Sequence, residues 1–433
     1  MKIIDLRNAQ EGTAGKQELG ELLARPVFDT RSLENTVANI LKEVRENGDE
    51  AVRRFTLMFD KVSPDHFEVS QTELAEAAAS LSPELRSAIQ QAKTNIEAFH
   101  GRQAQREAPV ETMPGVTCWR RTVAIEKVGL YIPGGTAPLF STLLMLGIPA
   151  MIAGCREIVL CSPPDTKGKL HPAILYAAGL VGVTKIFRVG GVQAIAAMAY
   201  GTKSIPKVYK IFGPGNQYVM CAKQLVQKDG TAIDMPAGPS EVAVYADETA
   251  DPVFTAADLL SQAEHGVDSQ VILVSPFSSV VDSVLAEIVR QTEELPRAAI
   301  ARSALENSRA FLVKDEQEAM ELLNEYAPEH LILACRNADG LAERVINAGS
   351  VFIGHFSPES AGDYASGTNH VLPTNGYARA YSGVSLDSFV KKITFQKITK
   401  EGMQHIGKAV ELMAEAEGLQ AHANAVRVRM NNQ

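Results

Sequence analysis

The sequence predicts an α/β protein with two mainly parallel sheets, and three features carry that prediction. Apolar runs of about five residues recur along the chain, the first four are each followed by proline or glycine, and stretches of helical composition, rich in alanine and leucine or amphipathic, separate them. Runs that are apolar throughout, instead of alternating, belong to strands covered on both faces, as parallel strands are.

Taken in order, the first hundred or so residues read as helical. Leu33, Val37, Ile40, Leu41 and Val44 recur at helical spacing within Ser32 to Phe59, and Leu74 to Phe99 continues the pattern. A first strand series follows at 128–132, 157–161, 185–189 and 208–212. From Val128 to Cys155 there is no charged residue, a stretch long enough to cross a bilayer. Pro133, Pro138 and Pro149, with Gly129, Gly134, Gly135 and Gly147 among them, would break a spanning helix repeatedly, so a buried strand, a loop and a short helix are expected there. A second series occupies 241–246, 270–275, 309–313, 331–334 and 350–354, alternating with amphipathic stretches such as Asp315 to Tyr326. After Ser385 the chain is expected to return to helix, with Gly402 to Leu419 rich in Ala, Met and Glu.

Composition narrows the function. At 433 residues, 45% hydrophobic and 21% charged, the chain reads as a soluble globular protein of more than one domain. A net charge of −9 without clustered Lys and Arg argues against nucleic acid as a partner and favours a small polar ligand. Five scattered cysteines with no Cys-x-x-Cys pair suit a reducing compartment, and Cys155 and Cys161, flanking a strand, are expected in the core. The N-terminal residues lack the apolar region of a secretory signal, so a cytoplasmic protein is expected.

The segment from Ser357 to Thr374 carries Glu359, Asp363, Asn369, His370 and several hydroxyls but few core-forming side chains. It follows the run 350–354, which places its polar groups at a strand's end, where open α/β sheets hold ligands. Gln262 and His265 stand three apart in a helical stretch and share one face, whereas Glu264 points elsewhere. An oxygen and an imidazole from one helix make part of a zinc site whose other ligands must come from elsewhere, with Asp363 and His422 the candidates. The same spacing also describes an ordinary helix surface. Glu329 and His330 sit between a helix ending near Tyr326 and the strand 331–334, a pairing suited to acid/base work on an alcohol and a water, although alone it reads first as a helix-terminal Glu beside a surface His. Tyr131 before Pro133-Gly134-Gly135, Gln193 after Gly190-Gly191, and Asn216 closing Phe212-Gly213-Pro214-Gly215 place glycine turns at strand ends, where backbone N–H groups can approach a ligand. The Gly-x-Gly-x-x-Gly dinucleotide fingerprint is absent, so each glycine alone reads as a turn residue before a phosphate cradle.

Together, Val128-Gly-Leu-Tyr-Ile-Pro-Gly-Gly135, Phe212-Gly-Pro-Gly-Asn216, Asp234-Met-Pro-Ala-Gly-Pro-Ser-Glu241, Leu260-Ser-Gln-Ala-Glu-His-Gly266, Pro328-Glu-His330 and the 357–374 segment resemble the histidinol dehydrogenase family, in order and over essentially the whole length. The resemblance implies zinc-dependent, NAD-linked oxidation of L-histidinol through L-histidinal to L-histidine, a four-electron reaction using two NAD in the last steps of histidine biosynthesis. It implies one zinc per subunit held by Gln262, His265, Asp363 and His422, and a catalytic pair Glu329 and His330. Substrate contacts would fall on Ser240, His330, Glu417 and the four metal-binding residues, and cofactor contacts on Tyr131, Gln193 and Asn216. It further implies a homodimer whose C-terminal tail completes the partner's site, so that Glu417 and His422 act in trans. Asn369 and His370 are assigned to shaping their loop. The expected division is an N-terminal helical segment at 1–25, a first Rossmann-like α/β domain from 26–127 and 237–380 carrying the metal and catalytic residues, a second Rossmann-like, NAD-binding domain at 128–236, and a helical, dimer-completing tail at 381–433. The alternatives are a related zinc/NAD dehydrogenase of another amino or sulfonated alcohol, a zinc hydrolase using Glu329 and metal-bound water, and a catalytically silent binding protein.

Overall fold

Apolar runs become strands wherever both of their faces can be covered, and here they assemble into two parallel sheets. The computed structural model describes residues 1–7, 19–25, 30–105, 107–134 and 138–431. Among these the strands are β1 (Lys2–Asp5), β2 (Val110–Met113), β3 (Val116–Ala124), β4 (Lys127–Tyr131), β5 (Glu157–Ser162), β6 (Lys185–Arg188), β7 (Lys210–Phe212), β8 (Ala232–Ile233), β9 (Glu241–Ala246), β10 (Gln270–Ser275), β11 (Arg309–Leu312), β12 (His330–Ala334), β13 (Ser350–Ile353) and β14 (Val390–Ile398). One sheet runs β6-β5-β4-β7-β8 and the other β1-β11-β10-β9-β12-β13, every pairing in both being parallel.

Strand periodicity sorts the core into layers. In β5, Ile158 and Leu160 pack on one side while Val159 and Cys161 pack on the other. In β12, Ile332 and Ala334 face the layer of the Pro252–Ala263 and Ser278–Glu294 helices, and Leu331 and Leu333 face that of the Glu316–Tyr326 helix. The uncharged stretch after β4 resolves into the buried helix Phe140–Ala153, and among the described residues no helix is long and apolar enough to cross a membrane. Cys155 is half-buried against the core and Cys161 is fully buried.

Three expectations need correction. The 1–25 segment, expected to be helical, opens with β1, which lies against β11 at a sheet edge; residues 8–18 lie outside the described residues. Four residues are too few to show a period, and a neighbour distant in sequence decides their conformation. Second, the early helices belong to the other sheet. Val37, Ile40 and Val44 of Thr30–Asp60 pack with Val159 and Tyr131, while Ile89, Ala92 and Ile96 of Pro83–Gly101 pack with Leu130 and Leu160. Hydrophobic spacing marks the buried face of a helix without naming the sheet that it covers. Third, the 381–433 tail is not all helix. Val390–Ile398 forms β14, antiparallel to β3, with Phe395 stacked on its register partner Trp119 at 5.5 Å. Only then do the helices Lys400–Ala416 and Gln420–Asn431 follow.

Candidate active site

Connectivity places the cleft. From β4 the chain builds outward through β5 and β6, then returns to β7 on the other side of β4; from β9 it builds through β10 to β11, then returns to β12 on the far side. In the five-stranded sheet the reversal opens a crevice between diverging loops at the C-terminal ends of β4 and β7. Gly213, Pro214 and Gly215 after β7 form one wall of a single cleft, and Ser240, Gln262, His265, Glu329, His330 and Asp363 form the other. The first wall lies at the C-terminal end of its sheet, as open α/β sheets lead one to expect. The second does not, because Ser240 precedes β9 and His330 is the first residue of β12, so it is built at the N-terminal ends of its strands. The polar segment reaches that end by turning back: β13 stops at Ile353, and the short helix Glu359–Tyr364 carries Asp363 to the level of His330.

Local geometry delivers Glu329 and His330. The Glu316–Tyr326 helix ends on Ala327 in a left-handed conformation (φ 52°), Pro328 follows, and the Glu329 carbonyl already accepts from the Ser350 amide at 2.9 Å. Glu241, the first residue of β9, orients both side chains through its backbone. Its N–H donates to Glu329 Oε2 at 2.9 Å, and its carbonyl lies 3.0 Å from His330 Nδ1. Gln262 Nε2 sits 2.9 Å from the same ring nitrogen and donates to the Glu241 carbonyl at 3.3 Å. Glu241 is itself held by a two-pronged bond from Arg25, at 2.6 and 2.8 Å, so the anchor of the pair is fixed from behind.

The cleft wall concentrates charge out of water. Burial pushes the Glu329 carboxyl up to about 8, with His330 opposing, and does the same to Glu359, also to about 8. Burial alone would lower His330, but Glu359, Glu329 and Asp363 together hold it well above the usual imidazole range. Asp363 is raised by burial and pulled down by more through His330, His370 and His265 together, ending below the usual carboxylate range. Among the described residues, four buried atoms here have no hydrogen-bond partner: Gln262 Oε1, His330 Nε2, Glu359 Oε2 and Asp363 Oδ1. His330 Nε2 and Asp363 Oδ1 face each other at 3.5 Å, long for a hydrogen bond. Unpartnered buried donors and acceptors are costly unless something else satisfies them. Ligand atoms of His330, Glu359 and Asp363 lie within 4.8 Å of one another, a group able to hold a metal ion, and nitrogen with oxygen donors suits zinc.

Of the expected zinc ligands, Gln262, His265 and Asp363 line this cleft together. His265 stands just beyond its helix, which ends at Ala263. His422 and Glu417 do not line the cleft; both are exposed, on the Gln420–Asn431 helix and at the end of Lys400–Ala416. Ser240 is in the cleft wall. The three expected cofactor residues cluster at the C-terminal end of the five-stranded sheet. The Tyr131 hydroxyl accepts from the Gly191 N–H at 3.1 Å, Gln193 Nε2 lies 3.5 Å from Asp60 Oδ2, and Asn216 caps the Gln217–Lys228 helix by accepting from the amides of Tyr218 and Val219, each at 3.1 Å. The glycine turn at 135, together with Thr136 and Ala137, lies outside the described residues.

Sequence reasoning passed over Glu359, although it stands four residues before Asp363 and so on the same helical face. His370, assigned to loop shaping, lines the cleft with Nδ1 4.0 Å from Asp363, whereas Asn369 does tie the loop, donating to the Met145 carbonyl at 2.7 Å.

Asp60, beside Gln193, yields a stability prediction. Burial raises its carboxyl from 3.8 to about 6, so its neutral form is favoured on folding. Its contribution is complete below its unfolded pKa and is lost as pH rises through about 6. Asp60→Asn is therefore expected to be more stable than the parent at pH 8 by ~1–3 kcal/mol, discounted for partial exposure, and equal to it at about pH 3. Urea unfolding at both pH values checks this, and an equal difference at the two would refute it.

The comparisons agree with one another. The histidinol dehydrogenase family profile matches residues 23–430. Histidinol dehydrogenase of Bacteroides thetaiotaomicron is 63% identical over 416 residues, 96% of this chain and 97% of that one, and the Escherichia coli protein of the same name is 53% identical over 95% and 94%. A crystal structure of histidinol dehydrogenase from Elizabethkingia anophelis superposes with a TM-score of 0.96 at 52% identity, covering all of this chain and 98% of the other. With a profile spanning nearly the whole chain and relatives this similar end to end, the chain belongs to the histidinol dehydrogenase family.

Proposed function

We propose that the protein oxidises L-histidinol through L-histidinal to L-histidine, with one zinc per subunit and two NAD reduced per turnover, in the last steps of histidine biosynthesis. The observation that carries this reading is the pairing of Glu329 and His330, both oriented by one backbone residue, beside buried unpartnered Gln262 Oε1 and Asp363 Oδ1. Gln262, His265 and Asp363, with His422 from a second subunit, are the proposed zinc ligands; the bound metal supplies a fixed positive charge that orients the substrate, and bound NAD supplies the hydride acceptor.

The chain's own residues handle protons and position. His330, in the neutral form that the positive charge of a metal bound beside it would favour, takes the alcohol proton as the carbinol carbon loses hydride. Glu329, whose raised pKa makes its ionised form a stronger base than an ordinary carboxylate, takes a proton from the water that hydrates the aldehyde. Ser240 contacts the substrate from the segment leading into β9, and Glu417 of a second subunit meets its ammonium group. Tyr131, Gln193 and Asn216 would hold NAD on the 128–236 unit, at the reversal between β4 and β7. The working unit is a homodimer in the cytoplasm, whose tails exchange Glu417 and His422.

The test is absorbance at the nicotinamide band with L-histidinol and NAD. Two NADH per histidinol are expected, with activity lost on chelation and regained with Zn²⁺. One NADH with accumulating aldehyde would refute the two-step reading. No NADH at all would favour hydrolysis by metal-bound water.

A further inference from the structure

Behind the glycine turn that closes β7 lies an ion pair for which the catalytic scheme has no use. Lys223 and Asp234 are both about 1% exposed, and Nζ meets Oδ1 at 2.5 Å. Both side chains converge on a single residue. Lys223 Nζ donates to the Gly213 carbonyl at 2.8 Å, and Asp234 Oδ2 accepts from the Gly213 N–H at 2.8 Å. The remaining carboxylate oxygen, Oδ1, accepts from the Met235 amide at 2.8 Å. Gly213 is held in a conformation open to few other residues (φ +126°), and a Cβ there would fall 2.0 Å from the Tyr131 carbonyl oxygen.

Burying an ion pair is a poor way to gain stability, because the desolvation of two charges cancels much of their attraction. Its value is directional. One ammonium and one carboxylate grip opposite ends of the glycine, so the turn cannot rotate without breaking charge-assisted bonds in a dry environment. The two partners also come from different elements. Lys223 lies on the Gln217–Lys228 helix that begins at Asn216, whereas Asp234 follows β8 and opens the segment that runs to Ser240 and Glu241. Gly213, Lys223, Asp234, Ser240 and His330 line the same cleft.

We propose that the Lys223–Asp234 pair is a positioning device for the dinucleotide, locking the Gly213–Asn216 turn in the shape that the cofactor meets and joining it rigidly to the Asp234–Ser240 segment on the substrate side. Neither residue is catalytic. The inference rests on the reading that NAD binds at the β4/β7 reversal.

The test compares Lys223→Met, which cannot donate to Gly213, with Lys223→Arg, which can, each measured as the full chain. For Lys223→Met we expect KM for NAD and Kd for NADH to rise at least tenfold, while kcat at saturating NAD stays within threefold; Lys223→Arg should recover most of the loss. A purely structural pair would lower the melting temperature of Lys223→Met with KM for NAD unchanged, and that outcome overturns the proposal, as does an equal loss in Lys223→Arg. Should Lys223→Met not fold, Asp234→Asn, which still accepts from the Gly213 amide, is measured instead; an unchanged KM for NAD there also overturns it. Hydrogen exchange of the parent protein over residues 210–220 with and without NADH separates the two layers of the argument. No protection by NADH sinks the cofactor placement itself, whereas protection in the parent with unaltered affinity in the variant sinks only the clamp.

Discussion

Glu329→Gln is expected to leave the first oxidation nearly intact and to slow the second by about 10²- to 10⁴-fold, the range that a positioned general base contributes. The glutamine keeps the shape and can still accept from the Glu241 N–H, which in the parent bonds Oε2 at 2.9 Å, so the loop and the His330 ring should stay in place. What is lost is the ability to take a proton from water. In single-turnover experiments one NADH should form at close to the parental rate, followed by a stall with L-histidinal accumulating. A variant that oxidises L-histidinal within threefold of the parent would remove Glu329 from the role of base. Equal slowing of both half-reactions would instead point to disturbance of His330, 3.6 Å from the Glu329 carboxylate.

Mixing two inactive variants should restore activity. His422 lies on an exposed helix outside the cleft of its own chain, while Gln262, His265 and Asp363 line that cleft. If the ligand comes from a second copy, subunits of Glu329→Gln and His422→Ala form hybrids in which one site carries both defects and the other carries neither. Random exchange in a two-fold dimer then regains about a quarter of parental activity, because half of the dimers are hybrids and each has one sound site. Activity that stays at the level of the separate variants after subunit exchange, shown by mass spectrometry of the mixed dimer, would place His422 in cis.

The parts of the fold that were legible are those in which a segment carries its own evidence. All nine apolar runs assigned to the two sheets appear as strands, β4, β5, β6, β7, β9, β10, β11, β12 and β13, because a fully buried parallel strand must be apolar on both faces whatever its neighbours are. Ser240, Gln262, His265, Glu329, His330 and Asp363, legible in short motifs, share one cleft, whereas Glu417 and His422 of the same chain lie outside it. Segments whose state depends on a distant partner were not legible. β1 is a strand because β11 offers it an edge, β14 because β3 does, and the Thr30–Asp60 helix covers the five-stranded sheet instead of the six-stranded one.

By itself, then, the sequence determined the strands of the two parallel sheets and the motifs that carry Ser240, Gln262, His265, Glu329, His330 and Asp363, since hydrophobic pattern and motif are properties of contiguous residues. Only the tertiary structure decided that Glu329 and His330 sit at the N-terminal ends of β9 and β12, that Glu359 is buried beside them, and that Lys223 and Asp234 grip one glycine from both sides. Burial, pKa and the direction of a hydrogen bond are set by neighbours in space, and the neighbours of Glu241 in this site stand 21, 88 and 89 residues away along the chain.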